Sequence, residues 1–210
     1  MASTAKSKSS TLKTSAGTTI VSLKVTLRGA KPAIWRRLLV PSTMTLGDLH
    51  LTIQAAMGWE DCHLHAFDID GRRYGDRRTV DDVADENRLT LSSLLKTGVA
   101  RCTYTYDFGD DWEHTVEIEK TQPAVDGEAY PRCVAGKGAC PPEDCGGPWG
   151  YQHLLEVLAD PTHPEYTDQR TWVDEDFTPD HFDTVGANAV LSARFGRKYA
   201  GSNPSGTTRS

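Results

Sequence analysis

The sequence carries little positive charge for its size, and it has no long hydrophobic run. Its 210 residues contain 23 Lys and Arg against 29 Asp and Glu, which gives a formal net charge of −6 at pH 7. Proteins that bind nucleic acids over a large surface present a basic face, so this balance argues against such an interface. No apolar stretch approaches the roughly 20 residues that span a bilayer, and the N-terminus lacks the apolar core of a secretory signal. We therefore expect an acidic, cytoplasmic protein that does not enter a membrane and whose partner is a protein or a small molecule.

Cysteine is scarce, and its number is odd. Five cysteines in a chain of this length indicate reduced thiols and a cytoplasmic setting, because a disulfide framework uses an even number. Cys133, Cys140 and Cys145 are separated by six and four residues, whereas the paired ligands of zinc sites are typically separated by about two to four. The surrounding segment is rich in Pro and Gly. We favour a rigid loop that presents Glu143 and Asp144 over a zinc site.

Internal repeats and a phosphate-binding glycine loop are also missing. The glycine-rich GGPWG at 146–150 lacks the Lys and the Ser or Thr that complete such a loop. A chain of 210 residues fits one well-buried domain. Both ends of the chain have too few apolar side chains to form a core: residues 1–18 are rich in Ser, Thr and Lys, and residues 200–210 are rich in Gly and Ser. We expect two disordered tails around a single domain at residues 19–199.

Hydrophobic periodicity predicts an α+β fold. Alternating apolar and polar residues predict strands at 21–27 and 34–40. Thr45 is a suitable N-cap, and Gly58 a suitable C-terminal stop, for the helix that follows. The order strand–strand–helix–strand–strand, then a hairpin, predicts a mixed, largely antiparallel sheet with one main helix packed across it, in a β-grasp-like order. The other predicted elements are a strand at 63–69, a turn at Asp70-Gly71, a short helix at 89–95, a hairpin at 104–118, and C-terminal helices at 151–159 and from Thr178.

The hairpin at 104–118 has the clearest pattern. Aromatic and apolar residues, together with His114, occupy even positions, and most odd positions are polar. Residues opposite each other lie on the same face, so even positions pair with even ones and the loop has an odd number of residues. A loop at 109–111 satisfies this rule and places Trp112 in the core. The predicted pairs are Phe108 with Trp112, Tyr106 with His114, and Asp107 with Glu113.

Two opposed carboxylates, Asp107 and Glu113, are destabilising unless a cation or a shared proton lies between them. This acidic hairpin is therefore a candidate metal or acid–base site, although Asp also serves turns and a histidine can be a core residue. If no metal binds, we expect a guanidinium of Arg36 or Arg37 to bridge the acids. For Arg36 itself we favour a side chain that reaches solvent from an edge strand. The catalytic candidates are Asp107, Asp110, Glu113, His114 and Glu143.

His63 and His65 form a second candidate site, because alternate residues of a strand place both imidazoles on one face. Such a pair can chelate a metal with a third ligand from a neighbouring strand, and packing is the alternative interpretation. The possible cofactor is a divalent metal ion, with candidate ligands His63, His65, Asp107 and His114. We expect His114, one of the two other histidines, and at least one acid among Asp107, Asp110, Glu113 and Glu143 to converge on one pocket.

Four stretches carry a family resemblance: IWRRLLVP at 34–41, HLHAF at 63–67, YDFGDDWEH at 106–114 and CPPEDCGGPWGY at 140–151. In combination they resemble the plasmid open-reading-frame-three family of Ri-type plasmids, also labelled insertion-element passenger TnpR-like proteins. The resemblance extends over roughly residues 19–196 and implies a compact α+β domain found on plasmids, transposable elements and chromosomes, with no particular reaction. The TnpR label suggests a resolvase, but the sequence has no serine-recombinase nucleophile motif and no helix-turn-helix with a basic recognition helix.

Two classes of function fit the sequence. The first is an accessory domain that binds a protein or small ligand through the acidic hairpin and the Pro- and Gly-rich loop that presents Glu143 and Asp144. The alternative is a metal-assisted hydrolase or nuclease that uses Asp107, Glu113 and His114. The acidic charge, the imperfect metal-ligand spacing and the lack of a complete triad favour the first. Its candidate binding residues are Arg36, Arg37, Trp112, Asp144 and Trp149.

Overall fold

One sheet of eight strands organises the fold. The computed structural model describes residues 14–196, 198 and 199, so residues 1–13 and 200–210 of the predicted tails lie outside the described residues. The strands are β1 (Thr14–Leu27), β2 (Trp35–Pro41), β3 (His65–Ile69), β4 (Arg72–Gly75), β5 (Ala84–Asp85), β6 (Arg101–Tyr106), β7 (Trp112–Val125) and β8 (Arg132–Lys137). They follow the order β5-β4-β3-β6-β7-β1-β2-β8, and all neighbours are antiparallel except β4 and β5. Because β1 begins at Thr14, residues 14–18 belong to a strand and not to the predicted tail.

The main helix has the predicted ends. The described residues form five α-helices and a 3₁₀ turn (Glu86–Arg88): α1 (Leu46–Met57), α2 (Leu91–Thr97), α3 (Gly147–Ala159), α4 (Tyr166–Trp172) and α5 (Thr184–Phe195). The Thr45 hydroxyl accepts the amide of Asp48 at 3.2 Å, and Gly58, with φ of 107°, ends α1. The apolar residues of α1 share one hydrophobic cluster with the sheet, which confirms the predicted α+β architecture. None of the helices in the described part of the chain has both the length and the hydrophobicity to cross a bilayer.

The hairpin formed by β6 and β7 has the predicted parity, but the predicted register is wrong by two residues. Tyr106 pairs with Trp112, so the loop is 107–111 and not 109–111. The cause lies at Asp107, which has a φ of 55° and leaves the extended conformation. Phe108 consequently lies in the loop with 42% of its surface exposed. The other observed pairs are Tyr104 with His114 and Thr105 with Glu113.

The register shift removes the predicted opposition of Asp107 and Glu113. Glu113 instead lies 2.5 Å from Arg28 Nη1 in an exposed ion pair. The predicted arginine bridge is also wrong, because Arg37 makes a bidentate pair with Glu119, with its shortest N–O distance 2.8 Å. This hydrogen bond with Glu119 raises the pKa of Arg37.

Arg36 is buried, with 1% of its surface exposed, so the predicted solvent-reaching side chain is wrong. The error has a physical cause: β8, which the sequence analysis treated as loop, pairs with β2, so β2 is not an edge strand. The guanidinium donates to the carbonyls of Ala56 at 2.8 Å and of Trp35 and Lys137 at 3.0 Å each. It also lies 3.7 Å from the centre of the Phe182 ring. No carboxylate is among these partners, and burial lowers the pKa of Arg36.

The C-terminal part differs from prediction at helix starts. The last helix begins at Thr184 and not after Thr178, because Asp183 acts as N-cap and accepts the amide of Val185 at 2.9 Å. Helix α3 begins at Gly147, four residues before the predicted start at Tyr151, and α4 was not predicted.

His114 faces the core and not a pocket. Its side chain is fully buried, Nδ1 lies 3.2 Å from the carbonyl oxygen of Tyr104, and its ring packs edge-on against Trp59. Burial lowers the pKa of His114 to about 4. The imidazole is therefore neutral at pH 7, and His114 belongs to none of the close groups of ligand atoms formed by the described residues.

Truncation of Trp112 should test the hairpin's role in the core. Trp112→Ala removes a side chain with 0% exposure, and we expect a loss of about 3–5 kcal/mol in the free energy of unfolding. Phe108→Ala, four residues away in the exposed loop, is the matched control and should lose less than about 1 kcal/mol. Urea denaturation of both variants measures the difference, and equal losses would contradict the observed register.

His114 should also make stability depend on pH. The unfolded imidazole, with a pKa of about 6.5, binds a proton more readily than the folded one, whose pKa is about 4. Stability is therefore constant above pH 6.5 and falls between pH 6.5 and 4, by about 2 kcal/mol from pH 7 to pH 5. His50 acts in the same direction, because burial lowers its pKa too. His114→Gln should flatten the dependence measured by denaturant titration, and an unchanged slope would refute the assignment.

Candidate metal site

Three segments meet at the imidazole of His63. They are the residues after α1, the hairpin loop 107–111, and the loop 138–146 between β8 and α3. His63 Nε2 lies 3.3 Å from Asp144 Oδ1, 3.6 Å from Asp107 Oδ2 and 3.8 Å from Glu143 Oε2. We call these four residues the His63 cluster. All four were candidates from the sequence, and the structure brings them together.

Asp107 is held by its own loop. Its Oδ1 accepts the amides of Gly109 at 2.8 Å and Asp110 at 3.3 Å, while Oδ2 faces His63. The Asp107 amide donates to the carbonyl of Leu64 at 2.8 Å, which ties the loop to the segment that carries His63. The side chain is almost fully buried, with 7% of the residue exposed. One carboxylate oxygen is thus fixed by the turn, and the other is left to face the imidazole.

Glu143 is held in the same way by residues from two segments. Its Oε1 accepts the hydroxyl of Tyr106 at 3.0 Å and the amide of Glu60 at 2.9 Å. Its Oε2 is buried and has no hydrogen-bond partner within the described part of the chain. The indole of Trp59 donates to the carbonyl of Pro141 at 3.1 Å, which anchors the loop that carries Glu143. Asp144, next in the chain, has a φ of 55° that turns it towards His63.

Asp110 joins the two loops and does not face His63. Its Oδ2 accepts the amide of Gly146 at 3.1 Å. Gly147 approaches the same residue so closely that a Cβ there would lie 2.4 Å from the carbonyl oxygen of Asp110. Only glycine fits at this position, with its φ of 68°. The hairpin loop and the 138–146 loop are therefore packed as one unit.

The His63 cluster has an uncompensated charge. Three carboxylates surround one imidazole, and in the described part of the chain no Lys or Arg nitrogen lies within 4.0 Å of any of them. Among the described residues the buried His63 Nε2 has no hydrogen-bond partner: Asp107 and Glu143 lie 3.6 and 3.8 Å away, and the 3.3 Å contact with Asp144 lacks the geometry of a hydrogen bond. Ligands at about 2.0–2.2 Å from a tetrahedral ion lie roughly 3.3–3.6 Å apart. The spacing in the cluster is close to that of ligands around one ion.

Sequence reasoning missed Cys62 and Tyr106 as site residues. The ligand atoms of Cys62, His63 and Glu143 lie within 4.8 Å of one another, as do those of His63, Asp107 and Asp144. The Cys62 amide donates to the hydroxyl of Tyr106 at 3.1 Å. Burial, followed by the contact with Cys62 and the charge of Glu143, raises the pKa of Tyr106, so the phenol remains a donor. The adjacency of a thiol and an imidazole at 62–63 was the signal that could have identified Cys62.

The other histidine candidate, His65, has separate partners. Its Nε2 lies 2.8 Å from Glu86 Oε2, and its ring stacks on His50 with the ring centres 3.4 Å apart. His50 in turn lies 2.7 Å from Asp61 Oδ1 and 2.8 Å from the Tyr104 hydroxyl. No close group of ligand atoms among the described residues contains both His63 and His65, so the structure does not bring this predicted pair together.

The remaining candidates are distributed through the fold. Cys133, Cys140 and Cys145 are free, and their sulfurs form no close ligand group among the described residues. Trp149 projects from α3 with 88% of its surface exposed, whereas Trp112 lies in the core. None of these five contributes a ligand atom to the His63 cluster.

A polar cleft of about 410 Å³ adjoins the His63 cluster. The acids of this cleft are paired: Asp76 Oδ2 lies 2.6 Å from Arg78 Nη2, and Asp48 Oδ2 lies 2.6 Å from Lys198 Nζ. The uncompensated acids of this region are thus those of the His63 cluster. The cleft is lined by Gly47, Asp48, His50, Leu51, Asp61, Cys62, His63, Leu64, His65, Asp76, Arg78, Thr79, Glu86 and Asn87.

Comparison with known proteins agrees with the resemblance in sequence. The uncharacterized protein y4hQ of Sinorhizobium fredii (strain NBRC 101917 / NGR234) is 42% identical over 190 residues, which cover 85% of this chain and 95% of that protein. The crystal structure of the protein of unknown function MM3350 from Methanosarcina mazei Go1 matches with a TM-score of 0.75 and 43% identity, over 80% of this chain and 96% of that one. Residues 19–185 match the family model described as plasmid pRiA4b ORF-3-like protein. The chain therefore belongs to the plasmid pRiA4b ORF-3-like protein family.

Proposed function

We propose that the protein binds a divalent metal ion at the His63 cluster, and that this ion anchors a small polar ligand in the adjoining cleft. The observation that supports the proposal is the buried, unpartnered His63 Nε2, which faces three carboxylates at 3.3–3.8 Å, with no Lys or Arg nitrogen within 4.0 Å of them among the residues that the structure describes. A cation at this point compensates the three negative charges and uses the unpartnered imidazole lone pair.

The ligand types favour a transition metal. Calcium and magnesium bind almost entirely through oxygen, whereas an imidazole among carboxylates suits Zn²⁺ or Mn²⁺. An ion held by His63, Asp107 and Asp144 has three protein ligands, and such sites keep a coordination position for water or substrate. Because His63 lines the cleft as well, a ligand in the cleft can reach that position.

The size and the lining of the cleft favour a small molecule, and not a protein, as the ligand. Its volume of about 410 Å³ falls in the range of small-molecule sites, roughly 300–1,000 Å³. Its lining is rich in imidazole, carboxylate, guanidinium and amide groups, which select a ligand with several hydrogen-bonding groups. This is the binding function expected from the sequence, with the hairpin loop supplying Asp107 to the proposed ion and the adjoining cleft holding the ligand.

Metal titration of protein purified without a histidine tag tests the proposal. We expect one Zn²⁺ or Mn²⁺ per chain by isothermal titration calorimetry, and His63→Ala should weaken the affinity by at least about tenfold. His153→Ala is the matched control, because His153 also lies near a carboxylate, 3.0 Å from Glu165, but outside the cluster. Absence of binding in the wild type, or equal affinity in both variants, would overturn the proposal.

A second candidate function, metal-assisted hydrolysis, is favoured by the position of Glu143. Its buried Oε2 lies 3.8 Å from His63 Nε2 and is unpartnered, while Tyr106 holds its other oxygen. A metal ion lowers the pKa of a bound water, and a neighbouring carboxylate can take the proton as general base. Glu143 thus replaces Glu113 and His114, the residues to which the sequence analysis gave this role.

Glu143→Gln distinguishes hydrolysis from ligand binding alone. The metal-loaded protein is assayed on a panel of carboxylic esters, phosphomonoesters, phosphodiesters and nucleic acids. If Glu143 is the base, the substitution should lower turnover by at least about 100-fold. Glu165→Gln, an exposed glutamate paired with His153, is the control and should leave turnover unchanged. Absence of turnover in the wild type, or full activity in Glu143→Gln, would exclude the hydrolytic mechanism.

A further inference from the structure

We propose that Cys62 gives the site a second ligand set at the same imidazole, formed by Cys62, His63 and Glu143, which selects thiophilic ions such as Zn²⁺ and Co²⁺. The inference rests on the proposed metal site and deepens it. In the first set His63 is joined by two carboxylates, those of Asp107 and Asp144, and in the second by a thiolate and one carboxylate.

The geometry supports a ligand role for this thiol. The sulfur of Cys62, a ring nitrogen of His63 and a carboxylate oxygen of Glu143 lie within 4.8 Å of one another. Two of these groups have buried, unpartnered atoms, His63 Nε2 and Glu143 Oε2. Cys62 Sγ lies 3.7 Å from the Tyr106 hydroxyl, and the hydroxyl accepts the Cys62 amide, so the backbone at residue 62 is fixed beside Glu143.

Cys62 differs from the other cysteines in its accessibility. It is exposed and lines the cleft, whereas the others are buried or half-buried. A metal ion that enters the cleft therefore meets one accessible thiol, that of Cys62.

The two ligand sets share one imidazole. His63 Nε2 has one lone pair and binds one ion, so the two sets cannot hold two ions at once, and the chemistry of the bound ion selects its other ligands. When the ion binds Cys62, a sulfur–metal bond replaces the sulfur–hydrogen bond and the proton passes to solvent. Thiolate favours Zn²⁺ and Co²⁺, and carboxylates favour Mn²⁺, so the identity of the ion decides which set forms.

This choice has a consequence for Glu143. In the carboxylate set Glu143 remains outside the coordination sphere and can accept a proton. In the thiolate set it becomes a ligand and loses that capacity. A thiophilic ion at the site therefore occupies the group that the hydrolytic mechanism requires, so the metal that binds most tightly need not be the metal that supports turnover.

Cobalt spectroscopy of the full-length, metal-free protein tests the inference. With Co²⁺ the wild type should show the near-ultraviolet absorption of thiolate-to-cobalt charge transfer, and Cys62→Ser should lose it. Cys62→Ser should also weaken Co²⁺ binding by at least about tenfold, while its Mn²⁺ affinity stays within about twofold of the wild type. Cys62→Ala provides a second variant, and Cys102→Ser is the control, with the wild-type spectrum expected.

The possible outcomes separate this inference from the proposed function. Two results would show that Cys62 is not a ligand: a cobalt band absent from the wild type, or one that persists in Cys62→Ser and Cys62→Ala. If His63→Ala still abolishes binding in either case, the proposed metal site is retained. If Cys62→Ser weakens Mn²⁺ binding as much as Co²⁺ binding, the two-set model is wrong. If the wild type binds neither ion, both proposals fall.

Discussion

A single buried cation holds together the parts of the fold that build the site. The carbonyl oxygens of Trp35, Ala56 and Lys137 surround the guanidinium of Arg36, and none of its partners among the described residues is a carboxylate. Ala56 lies in the last turn of α1, where carbonyls carry partial negative charge, and Lys137 ends β8. The two segments that leave these points are those that carry His63 and Glu143. Because a buried charge must keep its hydrogen bonds, Arg36 fixes the separation of these segments before any ligand binds.

Local periodicity predicted the elements whose structure depends on burial of one face. The first two strands and helix α1 follow from it, because each pattern reports which side meets the core, whereas the Asp70-Gly71 turn follows from the preference of Asp-Gly for tight turns. The register of the hairpin could not be obtained in this way, since alternation specifies parity but not loop length. That length depends on the left-handed backbone of Asp107 and on the two amides that its carboxylate accepts. Strand β8 was not predicted because it lies in a Pro-, Gly- and Cys-rich segment. Without β8, β2 was taken for an edge strand, and the buried side chain of Arg36 was predicted to reach solvent.

The sequence identified some of the residues of the site but not how the fold brings them together. His63, Asp107 and Glu143 do converge, but Asp107 arrives from a loop and not from an opposed carboxylate pair. The alternation that selected His63 selected His65 equally, and nothing local indicates that Glu86 binds the second imidazole while carboxylates from two distant loops face the first. Histidine chemistry is decided by such distant partners, so sequence spacing alone leaves several assignments open.

The left-handed aspartates of the site limit how these positions can vary. Asp107 and Asp144 each have a φ of 55°, a region that costs most residues with a Cβ roughly 1–2 kcal/mol and that Asp and Asn tolerate best. Replacement by alanine therefore strains the backbone and also removes the carboxylate. A loss of metal binding in an alanine variant does not distinguish between these two causes. Asparagine removes the charge with little change in backbone preference. The backbone at both positions accepts Asn or Gly and disfavours most other residues, so a small polar residue there satisfies the geometry alone, whereas the proposed ion requires the carboxylate itself.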